Sequence, residues 1–581
     1  MDTTTARAIL SNLRERIETD ENNRHRLVGV ITEREIEALD LLIAVSQEES
    51  AGTDPRVENL GLVEHVETNN EKPTLADNPN AEVDATDEVS LDLTALELTE
   101  GDGSFRVCLD FGTAMSKATF IRNDVDNDFE EIHVLRLGVP GDQEEVDEVM
   151  LISSLYVDAD GVIWFGKKAI DRARAGEESG TRRLDNIKRW LSEGNLDTPV
   201  DANHNPTGHE ISYEDLVLAY LAFFTWAVNE ALVQDVSEID VPKNFQRRFA
   251  MPCFPRPNAE QVKVRLTKLL GEAQVIADTF GHQIHEGLPL RSFLSAVNQL
   301  RAGKHVYPFI EQSITEPLGV AGSLLSWRAP YDALALVIDV GAGTSDFSLY
   351  RLLVAVDENG EIDDSKTTAL EVEGSARGIT EAGNHLDNIL KGFILNQAGI
   401  TSEHPQFINI AYDLERQIRD SKETLFNTGS VFVVLYSGES VDVSLGDFLA
   451  DDAVKAFQAS LKSTLIDVLE SVNQEFITWV RMNPSRNLII VLTGGGASLP
   501  MVKGLASANL TVNGSPLSVA ASLPFPAWLQ QDYPDLEDHY SRIAVSLGGA
   551  RMHLIQSKGV ATTTGSGQGG YVLERFQTRG S

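Results

Sequence analysis

The chain has 581 residues, 42% of them hydrophobic, enough apolar material for a sizeable core and for more than one domain. Its 88 acidic against 48 basic side chains leave a formal charge of −40, which argues against a general nucleic-acid or anionic-membrane binder. Only Cys108 and Cys253 are present, both in apolar contexts, which argues against a disulfide framework or a cysteine zinc site.

The first 50 residues are polar and charged, without a signal-peptide pattern, and they carry two helical stripes. Ile9, Leu13 and Ile17 recur at four-residue spacing. Ile31, Ile36, Leu39, Leu42 and Ile43 form a second stripe, opened by Thr32 with Glu35 as a capping box. The expectation over 1–50 is a small helical hairpin that docks on something else. From 51 to 103 acids dominate, basic residues nearly vanish and aromatics are absent, which reads as a disordered acidic linker. From 104 to 556 apolar strand-like runs alternate with helical patterns, the signature of an α/β fold. Its longest apolar stretch, Leu216 to Val228, is too short to span a bilayer, so a cytoplasmic protein is expected. Trp226, with Phe223 and Phe224 on that stretch, reads as core. Residues 557–581 include a Thr/Gly/Ser/Gln run and read as a flexible tail.

Two glycine loops led by acidic strand ends stand out in the α/β region. Leu109-Asp110-Phe111-Gly112-Thr113 and Ile338-Asp339-Val340-Gly341-Ala342-Gly343-Thr344-Ser345-Asp346 each separate two apolar runs. Both read as strand, tight turn, strand, with backbone N–H groups and hydroxyls at the tip for phosphate oxygens. The aspartates suit a hydrated Mg²⁺. A pair of such loops implies a duplicated fold that clamps a nucleotide phosphate chain. Between them, Asn186 to Leu191 places Lys188 on a short basic helical segment, and Ile314-Thr315-Glu316-Pro317-Leu318 puts Glu316 at a strand-to-helix junction. After them, Gly383 to Asn388 starts a helix, and Asp420 to Leu425, with Lys422, continues another. The buried-strand run Leu488 to Leu492 leads into Thr493-Gly494-Gly495-Gly496-Ala497-Ser498, a nucleotide-contacting turn. His204, His209, His282 and His285 show no metal-ligand pattern and read as surface or packing residues.

Taken together, these segments resemble the ATPase domain of the heat shock protein 70 family, the DnaK-type chaperones, within the actin and sugar-kinase superfamily. Met251-Pro252-Cys253-Phe254 before a long helix and Ile543 to Ala550 near the end extend the resemblance across 104–556. It implies a two-lobed actin-like fold of duplicated ribonuclease-H-like domains, divided near 335, with ATP and Mg²⁺ as cofactors and K⁺ as an additional ion. Asp110, Asp339 and Asp346 would serve the metal. Lys188, Glu316, Asp339 and Thr344 would be catalytic. Gly112, Thr113, Gly341, Gly343, Thr344, Lys422, Gly494, Gly495, Gly496 and Ser498 would contact nucleotide.

Three departures stand out. Ala342 replaces a glycine of the second loop, Arg419 and Phe426 stand where the family has a ribose-contacting glutamate and a serine, and residues 557–581 are not expected to hold the family's peptide-binding module. The leading expectation is therefore a slow ATP hydrolase acting as a chaperone-like switch on a protein client or partner, helped by a co-chaperone or exchange factor. The alternative is an actin-like filament-forming ATPase. A small-molecule kinase ranks last, because no aspartate stands as general base in a sugar-kinase context.

Overall fold

The computed structural model describes residues 89–557 with short interruptions, and before them only the strands Ile17–Thr19 and His25–Leu27. The chain divides into two units, Met1–Asp84 and Ala85–Ser581. In the first unit the two short strands pair antiparallel, Ile17 opposite Leu27. Ile17, expected on a helical stripe, is thus in a strand; Ile17 and Thr19 are β-branched residues flanking Glu18, a pattern that suits a pleated ribbon. The rest of both helical stripes, the Thr32 capping box, residues 51–88 and the tail from 558 onward lie outside the described residues.

The expected linker ends earlier than 103. Val89, Leu91, Leu93 and Leu96 pack against the main core, Ala95 is buried, and the Asp92 amide donates to Thr279 Oγ1 at 3.0 Å. Alternating apolar residues hidden among acids give this stretch a face to bury, which a spacer would lack.

The second unit is a mixed α/β structure built on two large sheets. In the first, β1 (Phe105–Asp110), β2 (Met115–Asp124) and β3 (Phe129–Val134) form an antiparallel meander, while β4 (Gln246–Met251) and β5 (Ile310–Thr315) add parallel strands beyond β1. The spatial order is β5-β4-β1-β2-β3. In the second, β6 (Tyr331–Val340), β7 (Ser345–Val354) and β8 (Thr368–Glu371) form the meander, and β9 (Leu488–Thr493) and β10 (Val519–Ala521) run parallel to β6. A short strand, β11 (Gln556–Ser557), extends the far edge beside β8. The order β10-β9-β6-β7-β8 repeats that of the first sheet, direction for direction.

Helices fill three layers around these sheets. On the first sheet lies α1 (Tyr213–Asp235), started by a capping box in which Ser212 and Asp215 satisfy each other's backbone amides. Its segment 216–228 is apolar on every face but for Thr225, and it is buried on every face. Among the described residues it is the one helix long and apolar enough to cross a membrane, yet 83% of that stretch lies inside the fold. Beside it runs α2 (Asn258–Phe280). Between the sheets sit α3 (Glu316–Ser323), begun by Pro317, and α7 (Tyr540–Ala550), while α4 (Gly383–Gln397), α5 (Phe407–Thr428) and α6 (Asp452–Ser471) cover the second sheet.

The middle layer is thin because α3 and α7 meet backbone to backbone. A Cβ added at Gly548 would lie 1.8 Å from the Gly319 carbonyl oxygen. Gly548→Ala should therefore destabilise the fold by about 1–3 kcal/mol, read from urea unfolding, since neither helix backbone yields easily.

Candidate functional site

Each sheet ends its first two strands in a glycine turn, and the two turns meet. Asp110 closes β1 before Gly112-Thr113; Asp339 and Asp346 flank the turn between β6 and β7. Gly343 faces Thr113 so closely that a Cβ there would lie 2.8 Å from Thr113 Oγ1. In the second turn the Gly341 amide donates to the Thr344 carbonyl at 2.9 Å.

Charge gathers where the turns meet. Lys188, just ahead of the helical turn Arg189–Glu193, donates to Glu316 Oε1 at 2.5 Å, and both side chains are buried. Asn186, with φ 57°, bends the chain two residues earlier, a left-handed conformation that asparagine tolerates. Glu316 is the first residue of α3 and its carboxylate faces inward. Asp110 pairs with Lys117 Nζ at 3.2 Å. Asp346 Oδ1 accepts from the Cys253 amide at 2.6 Å, joining the end of β4 to the second sheet.

Burial dominates the protonation of this cluster. It raises the Asp339 carboxyl well above the usual range, with Glu316, Asp346 and Asp110 adding repulsion that Lys117 only partly offsets. Burial and Glu316 push Asp346 up to about 7, against the Cys253 amide, the Thr344 hydroxyl and Lys188. For Lys188 burial works against the charge, but Glu316 and Asp110 outweigh it and hold the ammonium pKa above its ordinary value. Burial likewise raises the thiols of Cys108 and Cys253, both free, and leaves them poor nucleophiles.

An all-oxygen donor set, with Asp346 Oδ2 buried and lacking a hydrogen-bond partner, fits a hard divalent cation such as Mg²⁺. Asp110, Asp339 and Asp346 stand wider apart than a directly chelated ion requires. Among the described residues, one trio of metal-ligand types brings its donor atoms within 4.8 Å, and it lies elsewhere: His282, His285 and Glu286. Carboxylates set this wide suit an ion that keeps its waters. The histidine trio already holds a cation, since Lys168 Nζ is 3.3 Å from His285 Nδ1 and 3.4 Å from Glu286 Oε1. His285 also stacks on Trp226, 5.1 Å between rings, which keeps it a packing residue.

The remaining sequence-derived residues separate into two groups. Gly494, at φ 81°, stands where a Cβ would lie 2.4 Å from Asp339 Oδ1, and the Gly496 amide donates to the Val340 carbonyl at 2.9 Å. The triple glycine is therefore seated against the second turn. Lys422 Nζ pairs with Asp387 at 2.7 Å and donates to the Gly383 carbonyl at 3.1 Å. The amides of Gly383 and Asn384 in turn donate to the Gly341 and Ala342 carbonyls at 3.0 and 2.7 Å, so Lys422 reaches the turn through the start of α4. Gly495 and Ser498 on the same segment are exposed.

Sequence reading passed over Lys117 and gave no site role to Cys253 or Asp387, although it named the segments that hold those two. Lys117 was findable, because hairpin register places it directly opposite Asp110. A cavity of about 290 Å³ lined by Glu272, Arg301 and Tyr307 touches none of these groups, while a crevice of about 10 Å³ runs beside Lys188, Met251 and Pro252. No family model matches the chain, and no curated protein matches it.

A carboxyl whose folded pKa exceeds its unfolded value costs stability once it must ionise. For Asp346 the cost is absent below about pH 4 and complete above about 7. The protein free of divalent ions should therefore lose thermal stability as pH rises from about 4 to about 7. Added Mg²⁺ should restore more at pH 8 than at pH 5, and Asp346→Asn should flatten the profile. A scanning-calorimetry series over pH, with and without Mg²⁺, checks all three.

Proposed function

We propose that the chain binds and hydrolyses ATP and serves as a conformational switch of the heat shock protein 70 kind, read by a protein partner. One observation carries this reading: a buried lysine, Lys188, paired with Glu316 among Asp110, Asp339 and Asp346, at the meeting point of two glycine turns. The repeated strand order of the two sheets supports a duplicated, actin-like architecture around that point.

In this reading the turn amides with Thr113 and Thr344 hold phosphate oxygens. Lys188 neutralises charge that builds on the transferring phosphoryl group, and Glu316 and Asp346 orient the attacking water. Asp110 and Asp339 hold the waters of Mg²⁺, which when bound supplies charge neutralisation along the phosphate chain. Lys422 and the Gly494 to Ser498 turn face the nucleoside end. Phosphoryl transfer suits such a site because positioning and electrostatics supply most of the acceleration. Closure of the two halves on ATP and release after hydrolysis would give the partner two states to distinguish.

Purified wild type should turn over ATP slowly with Mg²⁺ and K⁺, and Lys188→Ala and Asp339→Asn should each lower that rate about 100-fold or more. Wild-type turnover in Lys188→Ala would sink the mechanism. A second reading, an actin-like filament former, draws on one observation. The isolated hairpin Ser430–Val434 and Ser440–Ser444 leaves Phe432 and Tyr436, at its turn, 66% and 56% exposed. ATP-dependent sedimentation that Phe432→Glu abolishes would favour assembly over the switch.

A further inference from the structure

The first glycine turn is held from behind by a residue that no sequence pattern marks. Ser153 follows the short strand Leu151–Ile152, which pairs with Met115 and Ser116 at the start of β2. Its amide donates to the Ala114 carbonyl at 2.9 Å, and its hydroxyl donates to the Gly112 carbonyl, also at 2.9 Å. One residue thus grips the turn at both ends of Gly112-Thr113-Ala114.

That hydroxyl has its own support. Ser153 Oγ lies 3.1 Å from Tyr220 of α1 and 3.1 Å from Ser116, which are 3.0 Å from each other, all three residues buried. A serine hydroxyl carries a single proton. With that proton committed to Gly112, Ser153 must accept from Tyr220 or Ser116, and burial keeps the Tyr220 phenol protonated and able to donate. The Tyr220 ring also stacks on Phe111, 5.5 Å between centroids. From the same turn Thr113 projects against Gly343.

We propose that Ser153, oriented by Tyr220 and Ser116, is the positioning residue of the first phosphate turn, fixing the Gly112 carbonyl so that Thr113 and the turn amides face the second turn. The clamp stands on geometry alone; its consequence for phosphate rests on the ATP reading above.

The test uses the full chain and two readouts. Ser153→Ala and Tyr220→Phe remove one hydroxyl each. Ser546→Ala is the control, since Ser546 bonds Thr119 on β2 at 2.8 Å, equally buried but away from the turn. Hydrogen exchange of peptides covering 109–117, without nucleotide, should quicken about three- to tenfold in the first two variants and stay unchanged in the control. The KM for ATP should rise by a similar about three- to tenfold factor, with kcat within about twofold of wild type. A variant that merely lost folded protein would lower kcat and leave KM alone, which would count against positioning. Unchanged exchange in both variants, or an equal effect in Ser546→Ala, overturns the clamp. If wild type neither binds nor hydrolyses ATP while Ser153→Ala still frees the turn, the ATP reading falls and the clamp stands.

Discussion

Four carboxylates taken out of water in one place are the constraint around which this molecule is arranged. Asp110, Glu316, Asp339 and Asp346 are all buried. Removing one such charge from water costs several kcal/mol, and placing others beside it adds repulsion. Two lysines, Lys188 and Lys117, offset part of that. The rest is borne by burying apolar surface elsewhere: the apolar middle of α1, the sheet faces and the layer around α3 and α7. Each acid also sits on an element of its own, at the end of β1, the start of α3, the end of β6 and the start of β7. The cluster therefore exists only when both sheets, and the helix between them, are in place.

How far this was legible in the sequence depended on whether a signal was local. Leu488 to Leu492 announced a buried parallel strand, because a strand covered on both faces needs apolar residues at every position. Both hairpins were visible from glycines between apolar runs, and Glu316 was visible because Pro317 marks a first helical turn. What joins distant segments was not visible. Lys422 was singled out, but its partners Asp387 and the Gly383 carbonyl lie on another helix, and helical periodicity carries no information about which faces meet. The docking of residues 89–97 was masked by acidic composition, although Val89, Leu91 and Leu93 alternate as buried positions do. Ser153 sits in a Leu-Ile-Ser-Ser-Leu context that any strand could contain.

The repeated strand order bears on how the halves are related. Each sheet places its antiparallel hairpin centrally and adds two parallel strands beyond the hairpin's first strand, so each presents one glycine turn at the same end; β11, parallel to β8, is an addition at the far edge of the second sheet. The halves differ in what backs the turn. The first is held by hydroxyls from Ser153, Tyr220 and Ser116; the second leans on the amides that begin α4 and on the Gly494 to Gly496 segment. Similar scaffolds have arrived at unlike braces.

The glycine seam between α3 and α7 makes those helices a shim of minimum thickness. Where backbones already touch, nothing can be trimmed, so every substitution along Gly319, Gly322 and Gly548 can only widen the layer. Rotamer changes cannot relieve contacts made by backbone atoms. The approach of the two helices that lie between the sheets is therefore gauged by main-chain atoms and sits at its lower bound.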